Sequence, residues 1–477
     1  MRPTFPDAAL NRYDRLALDI EQRIRDGVLR VGERLPSVRK ACAALRLSPS
    51  TVLKAYYLLE SRGLVEVRPQ SGYYVRPRAP AALPEPEMRR PLGASTELKV
   101  SDFIFEILEA VKDPAVVPLG SSFPSPALFP LDRLGRCLAA AARHMDPRAT
   151  LTDLPPGNDE LRRQLALRYL AHGVALRPGE IVVTSGAMEA LNLCLEALTR
   201  PGDLVAIESP TFHASLQMIE RRGLKVIEIP THPREGVSVE ALADALRRHP
   251  VKACLLMLNF QHPLGSLVPE ARRRELLALL QRHDVPLIED DTYGELHFDR
   301  QPPLPAKALD TSGLVLHVSS FSKSLAPGYR VGWVAAGRYA QKVQRLKLSA
   351  SLATTIPVQI ALADFLRQGG FDPQLRRLRG ALEVQEAAMA AAIERHFPAG
   401  TRLTRPRGGY FTWVELPPAA DALALHRRAL DEGISLAPGP MFSAKREYRN
   451  CIRLNFGHPW TADLEAAMRR LGEMLAD

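Results

Sequence analysis

Cysteine, aromatic residues and long apolar runs are all scarce in this 477-residue chain, and each scarcity closes off a class of protein. The five cysteines, Cys42, Cys137, Cys194, Cys254 and Cys451, are odd in number, lie far apart and form no CxxC pair. That argues against a disulfide framework and a cysteine zinc site, and for reduced, mostly buried thiols in a cytoplasm. No metal site is expected. No apolar stretch approaches the roughly 20 residues of a membrane-crossing helix. The opening "MRPTFPDAALNRYDRLALDIEQ" lacks an apolar centre followed by small residues, so it does not read as a secretory signal.

What is present points to a sizeable folded protein. Hydrophobic residues make up 46% of the chain, and its length suits two or three domains. The net charge of +10 is unevenly spread. Residues 1–78 hold 15 Lys and Arg against 8 Asp and Glu; the rest hold 48 against 45. Such a basic front end fits a nucleic-acid footprint, and equally a solvated basic surface.

Between the two parts runs "RPRAPAALPEPEMRRPLGAST", residues 76–96. Pro77, Pro80, Pro84, Pro86 and Pro91 preclude a regular helix or a central strand there. The expected division is a domain over 1–78, a semi-extended linker over 79–100, and a large domain over 101–477 with a small subdomain from about 375.

The front part has helical periodicity. Leu16, Ile20 and Ile24 share a face, and Gly27 is expected to stop that helix. Val38, Ala41, Cys42 and Leu45 make a second apolar face. Ser48 is a ready N-cap with Pro49 at the first helical position; Val52, Ala55, Tyr56 and Leu59 follow on one face, and Gly63 suits the C-cap. "LVEV", "RPQSG" and "YYV" then form a hairpin. Three helices and a hairpin describe a winged helix-turn-helix, whose third helix would enter the major groove of DNA. Its open face offers Ser50, Thr51 and Lys54; Arg39 and the wing at Gly72 and Tyr73 are candidates for phosphate contacts. Periodicity alone also allows a small helical protein-interaction domain. The motifs "G.L..GERLPS.R", "S.STV..AY..LE..GL" and "SGYYV" resemble the GntR-type DNA-binding domain. The sequence departs from that pattern at Pro49, where arginine is common, so one usual contact is missing.

After residue 97, apolar runs such as "EIVVTSG", "DLVAIESP" and "VPLIEDD" alternate with helical stretches. This pattern implies an α/β fold with a mostly parallel sheet, whose ligands lie beyond the strand ends. In "TSGAMEALNLCLEAL", the N–H groups of Ala187 and Met188 would open a helix and offer an anion seat. "LIEDDTYGEL" sets acids at a strand end, where a buried carboxylate needs a hydrogen bond or a cation such as a protonated heterocyclic nitrogen; a helix cap or a metal ligand is the alternative. In "SSFSKSLAPGYR", Lys323 is held among Ser320 and Ser322, with Arg330 one loop later. A lysine there forms a Schiff base if burial or a nearby cation lowers its pKa, and Arg330 supplies a cation and a phosphate fork.

Phosphate seat, acid and lysine together describe a pyridoxal phosphate pocket. Residues from about 115 to 477 resemble the fold type I, class I/II aminotransferases, through "SFSKSLAPGYRVGW", "EDDTY", "ESPTF", "NFQHPLG" and "CIRLNFG". The resemblance implies that Lys323 is the Schiff-base lysine and that Ser320 and Arg330 bind the cofactor phosphate, with Ser322 counted in the same site. It implies Asp290 at the pyridine nitrogen, with Asp291 the easiest confusion, Tyr293 at the ring hydroxyl and Phe212 stacked on the ring. Arg453 would grip a substrate α-carboxylate. His262 stands where the family has an asparagine that hydrogen-bonds the ring hydroxyl. "PRGGYFTWVEL" and "ISLAPGPMFS" match segments that line the substrate side.

A GntR-type reader, a linker and an aminotransferase-like domain in this order resemble the MocR subfamily of bacterial regulators. The resemblance implies a cytoplasmic, homodimeric transcriptional regulator that binds an operator in double-stranded DNA. It would sense an amino compound, or pyridoxal phosphate itself, through aldimine chemistry at Lys323. An active aminotransferase with an accessory DNA-binding domain is the alternative.

Overall fold

The computed structural model describes residues 11–25, 28–29, 33–45, 47–61, 64–68, 72–75, 83–91, 93–109 and 115–476. The chain divides into two compact units, 1–82 and 83–477.

In the first unit, α1 (Arg12–Arg25) and α2 (Val38–Leu45) pack on α3 (Pro49–Ser61). β1 (Val65–Arg68) and β2 (Gly72–Val75) form an antiparallel hairpin, pairing Val65 with Val75 and Arg68 with Gly72. The α3 periodicity translates directly into burial: Val52, Ala55, Tyr56 and Leu59 are all enclosed, with Leu16 and Ile20 from α1. The Ser48 hydroxyl accepts the Thr51 N–H at 3.3 Å, which caps α3 as its sequence requires. Leu45 departs from expectation and is exposed. α2 ends at that residue, and Leu47 packs into the core just beyond it. Gly27, Gly63 and the first part of the expected linker, 76–82, lie outside the described residues.

The second unit is built on a large mixed sheet. Its strands are β3 (Thr96–Glu97), β4 (Ile181–Thr184), β5 (Leu204–Ser209), β6 (Lys225–His232), β7 (Gly236–Val237), β8 (Val251–Leu256), β9 (Leu287–Asp290), β10 (Val315–Ser320) and β11 (Gly332–Ala335). The spatial order is β3-β6-β5-β8-β9-β10-β11-β4, with β7 on β6. Strands β6, β5, β8, β9 and β10 run parallel; β11 is antiparallel to β10 and to β4. Parallel strands need both faces covered, and the wholly buried runs of β4, β5, β9 and β10 reflect that.

A smaller antiparallel sheet follows: β12 (Arg402–Leu403), β13 (Phe411–Glu415), β14 (Ala437–Pro438) and β15 (Cys451–Asn455), in the order β12-β13-β15-β14. The long helix Phe371–His396 leads into it and packs against the helix Ala462–Ala476.

Most of the stretch expected to be a linker, 79–100, belongs to the second unit. Its prolines do rule out helix, but its other residues hold it down. Leu83 packs on the core of the small sheet, and the Pro84 carbonyl accepts the Leu403 N–H at 2.9 Å. Glu85 pairs with Arg234 at 2.8 Å and Glu87 with Arg402 at 2.8 Å. Thr96 and Glu97 add β3 to the edge of β6. An extended chain with free backbone groups pairs readily with a sheet edge, which proline content alone does not reveal.

Because the first unit has its own core, damage to it should stay local. Leu59→Ala is expected to destabilise that unit by about 2–5 kcal/mol. Hydrogen exchange on the full chain in rising urea should show 12–75 opening at lower denaturant, with protection of 83–476 unchanged.

Candidate functional site

On the first unit, the exposed face of α3 presents Ser50 and Lys54, and Arg39 is exposed on α2. Thr51 is half-buried, and its hydroxyl lies 2.8 Å from that of Ser48, so it is engaged in the cap. The Lys54 ammonium lies 5.8 Å from the centre of the Tyr13 ring, a cation–π distance that orients it. Gly72 adopts φ +108°, and a Cβ there would approach Arg34 Nε to 3.2 Å. Tyr73 is half-buried, its ring edge-on to Tyr56 at 5.0 Å and to Tyr57 at 6.5 Å. Its ring braces the wing against α3 instead of reaching outward. Arg34, and Tyr57 one turn beyond Lys54, are exposed on this unit and were not singled out from sequence. The i+3 spacing of Lys54 and Tyr57 is the signal that could have found the latter.

On the second unit, a cavity of about 660 Å³ opens beyond the ends of the parallel strands. At one end Gly186, with φ +90°, precedes the helix Ala187–Leu198. The first N–H groups of a helix have no partner within it, so Ala187 and Met188, both on the cavity wall, offer an anion seat. Arg330 lines the same end, in the left-handed conformation at φ 49°. It donates to the Ser322 hydroxyl at 3.1 Å, and Ser320 and Ser322 complete that wall. The seat depends on glycine. A Cβ at Gly186 would sit 2.9 Å from Arg330 Cζ, and one at Gly332 would sit 2.8 Å from the Ala187 nitrogen.

Lys323 projects from the loop after β10. Its amine is open to the cavity and otherwise surrounded by protein; it donates to the Ser122 carbonyl at 2.7 Å and lies 4.3 Å from the Phe123 ring centre. Burial lowers its pKa to about 7, the Arg453 guanidinium adds to that effect, Asp290 opposes it, and Arg330 contributes least. Sequence pointed to Arg330 as the cation; Arg453 is the stronger influence because the fold brings β15 across the cavity.

Asp290 ends β9 on the cavity wall, with its carboxyl accepting the Thr292 N–H at 3.1 Å and the Thr292 hydroxyl. Burial pushes its pKa up. Asp291 lies to the other side: Asn259 Nδ2 donates to it at 2.9 Å, and His317 Nε2 lies 3.0 Å away. Consecutive residues of an extended chain point to opposite faces, which separates the two acids. Tyr293 and Phe212 both line the cavity.

Arg453 is fully enclosed. It donates to the Gly120 carbonyl, its Nη1 lies 3.3 Å from His262 Nε2, and its guanidinium carbon lies 4.3 Å from the Phe411 ring centre. Among the described residues no carboxylate pairs with it. His262 is wholly buried, packed behind Arg453 and Phe411. Its imidazole stacks on Phe411 at 4.3 Å and backs Arg453, and burial holds its pKa well below the usual range, so it supports the arginine as an uncharged ring.

Sequence reasoning passed over Ser122, whose carbonyl also accepts the Tyr410 hydroxyl at 3.1 Å, and Phe123, Thr292 and His213. A backbone acceptor in "GSSF" leaves no side-chain signature, whereas Tyr410 falls within a segment expected to line the substrate side. An anion seat, a buried carboxyl lacking a cation and an amine of near-neutral pKa fit a phosphorylated, nitrogen-heterocyclic aldehyde. The orphaned Nε of Arg453 leaves a further donor for an anion.

Comparison with known proteins agrees with both units. Residues 129–471 match the family model for aminotransferase class I and II, and residues 12–75 match that for bacterial regulatory proteins of the gntR family. The HTH-type transcriptional regulators YdcR and YjiR of Escherichia coli K12 are 44% and 40% identical to this chain, over 98% and 97% of it and 100% and 98% of their own lengths. A Pyrococcus horikoshii kynurenine aminotransferase structure superposes with a TM-score of 0.73 at 31% identity, covering 80% of this chain and 95% of that one. Pyridoxal phosphate is the cofactor of that fold, and the residues of the cavity fit it. The chain belongs to the MocR subfamily of GntR-type transcriptional regulators, in which a winged helix-turn-helix is fused to a class I and II aminotransferase-like domain.

Proposed function

We propose that this regulator senses a primary amine bearing a carboxylate in its large-unit cavity, and that occupancy there sets how the helix-turn-helix engages its operator. The observation that carries this reading is the conjunction of Lys323 and Arg453. An amine of near-neutral pKa shares the cavity with a buried guanidinium that pairs with no carboxylate among the described residues. Pyridoxal phosphate, when bound, supplies an aldehyde that condenses reversibly with primary amines. Around it the side chains divide the work. Ala187, Met188, Ser320, Ser322 and Arg330 hold the phosphate, and Asp290 keeps the ring nitrogen protonated. Phe212 would cover the ring and Tyr293 would meet its hydroxyl, both lining the cavity. Lys323 in its uncharged form is the nucleophile, and Arg453 receives the ligand carboxylate.

The regulator acts in the cytoplasm as a homodimer whose two DNA-binding units read two half-sites, with Ser50, Thr51 and Lys54 toward the groove and Arg39 and the Gly72 wing toward phosphates. An amine signals only if it favours one arrangement over another, since equal affinity for both shifts nothing.

A second reading is a working aminotransferase with an accessory DNA-binding unit. Lys323, Asp290 and Arg453 on one cavity favour it. Multiple-turnover conversion of an amino acid with a keto acid would establish it, and its absence in a protein that still binds amines would establish sensing.

Replacing Lys323 with Ala is expected to abolish the imine absorbance of cofactor-loaded protein. Borohydride reduction followed by peptide mass spectrometry should find the wild-type adduct at residue 323 and nowhere else. Cofactor loading should also depend on pH in a defined direction. Below about 7 the Lys323 amine is mostly protonated and unreactive, so the loading rate of cofactor-free protein should rise up to about tenfold per pH unit and level off above 7. Stopped-flow absorbance measures this; a rate still climbing steeply at pH 9 would show an ordinary lysine.

A further inference from the structure

The cavity also discriminates among amines. On the amine-sensing reading above, we propose that the effector is an α-amino acid with an uncharged, apolar side chain. Arg453 fixes the carboxylate, and the wall around it is apolar. Ala437 is its register partner across β14 and β15, Leu436 precedes that residue, and Met441 follows in the turn Gly439–Phe442. Ile107 and Leu108, from the helix Ser101–Glu109, complete the wall. Among the described residues, the charged side chains lining the cavity are Asp290, Lys323, Arg330 and Arg453. The cofactor engages the first three and the ligand carboxylate the fourth. His213 and Tyr293 are the remaining titratable wall residues; burial keeps the His213 ring uncharged by lowering its pKa to about 3, and keeps the Tyr293 phenol protonated by raising its pKa. Among the described wall residues a carboxylate or ammonium at the end of the ligand side chain would therefore lose water and find no charged partner, whereas an alkyl or aryl group would replace water on an apolar wall.

The test is a spectral titration of the cofactor-loaded full chain with leucine, phenylalanine, glutamate and lysine. Leucine or phenylalanine should bind at least tenfold more tightly than glutamate or lysine. Met441→Arg should narrow or reverse the gap for glutamate, and Leu108→Arg, on a half-buried position, offers the same test if the first variant folds poorly. Equal or tighter binding of the charged amino acids, or an unchanged ranking in a folded variant, would overturn the apolar assignment while leaving sensing intact. A spectrum that no amine perturbs would overturn the sensing reading itself.

A separate observation concerns the strap, residues 83–100, through which the chain arrives from the DNA-binding unit. We infer that Arg89 couples the strap to cavity occupancy, again on the sensing reading. Its half-buried guanidinium donates to Glu415 at 2.7 Å and to Asn450 at 2.7 Å, and lies 3.6 Å from Cys451 Sγ and 5.3 Å from the centre of the Tyr448 ring. Glu415 and Cys451 are register partners, and two residues further along the same strands Trp413 pairs with Arg453. The Tyr448 hydroxyl also lies 3.0 Å from that of Ser209, at the end of β5, three residues before Phe212. One strap residue thus grips both strands at a rung two steps from the carboxylate-binding arginine. A ligand that draws Arg453 shifts the seat of Arg89, which provides the differential contact that a switch needs.

The measurement is binding of the full chain to DNA from just upstream of its own gene, with and without an amino acid that perturbs the spectrum. In Arg89→Ala the amino acid should still perturb the spectrum with wild-type affinity, while its effect on DNA affinity falls to less than a third. Glu415→Gln should behave alike, and the exchange of both charges, Arg89→Glu with Glu415→Arg, should restore part of the response. A wild-type DNA response in Arg89→Ala would overturn the coupling. A wild-type protein whose DNA affinity ignores every spectrally active amino acid would overturn sensing instead.

Discussion

Arg453 is the constraint on which the functional part of this molecule depends. A guanidinium enclosed among Phe411, His262 and the Gly120 carbonyl, with no carboxylate paired to it among the described residues, is costly to bury. It is tolerable in a cavity that an anion will complete. Its charge also has a second consequence, because together with burial it makes the Lys323 amine easier to deprotonate. On the proposed reading, carboxylate recognition and a reactive lysine come from one placement of one side chain. His262 fits the same logic: an uncharged ring backs the arginine without adding repulsion.

The large sheet delivers these groups by ordinary strand geometry. β9 ends on Asp290 and β10 on Ser320, so the acid and the lysine loop reach the cavity from neighbouring parallel strands. β11 returns antiparallel and carries Gly332 against the start of the helix Ala187–Leu198. Close approach of backbones there, allowed by Gly332 and Gly186, sets the phosphate seat next to Arg330. The small sheet then brings Arg453 from more than a hundred residues further along the chain.

The strap changes how the two halves of the chain relate in covalent terms. A stretch that composition marks as a loose tether is, from Leu83 onward, fixed to the large unit by ion pairs, a sheet edge and Arg89. Arg89 also ties the strap to the Glu415–Cys451 pair, two rungs along β13 and β15 from Arg453.

Local information in the sequence was enough for the helices of the first unit, for the N-cap at Ser48, for the alternation of strand and helix in the second, and for naming Ser320, Ser322, Lys323 and Arg330, which share one cavity. Periodicity, caps and short motifs are written in neighbouring residues, and those survive without knowledge of the fold. Leu45, His262, the strap and the influence of Arg453 on Lys323 were decided by tertiary structure. Each depends on what a residue packs against in the folded chain: Leu47 taking a core place, Phe411 offering its ring face, β6 offering an edge, and β15 bringing Arg453 to the cavity that Lys323 lines. Sequence order carries no measure of those distances, so it named the groups, and packing alone determined which of them face one another.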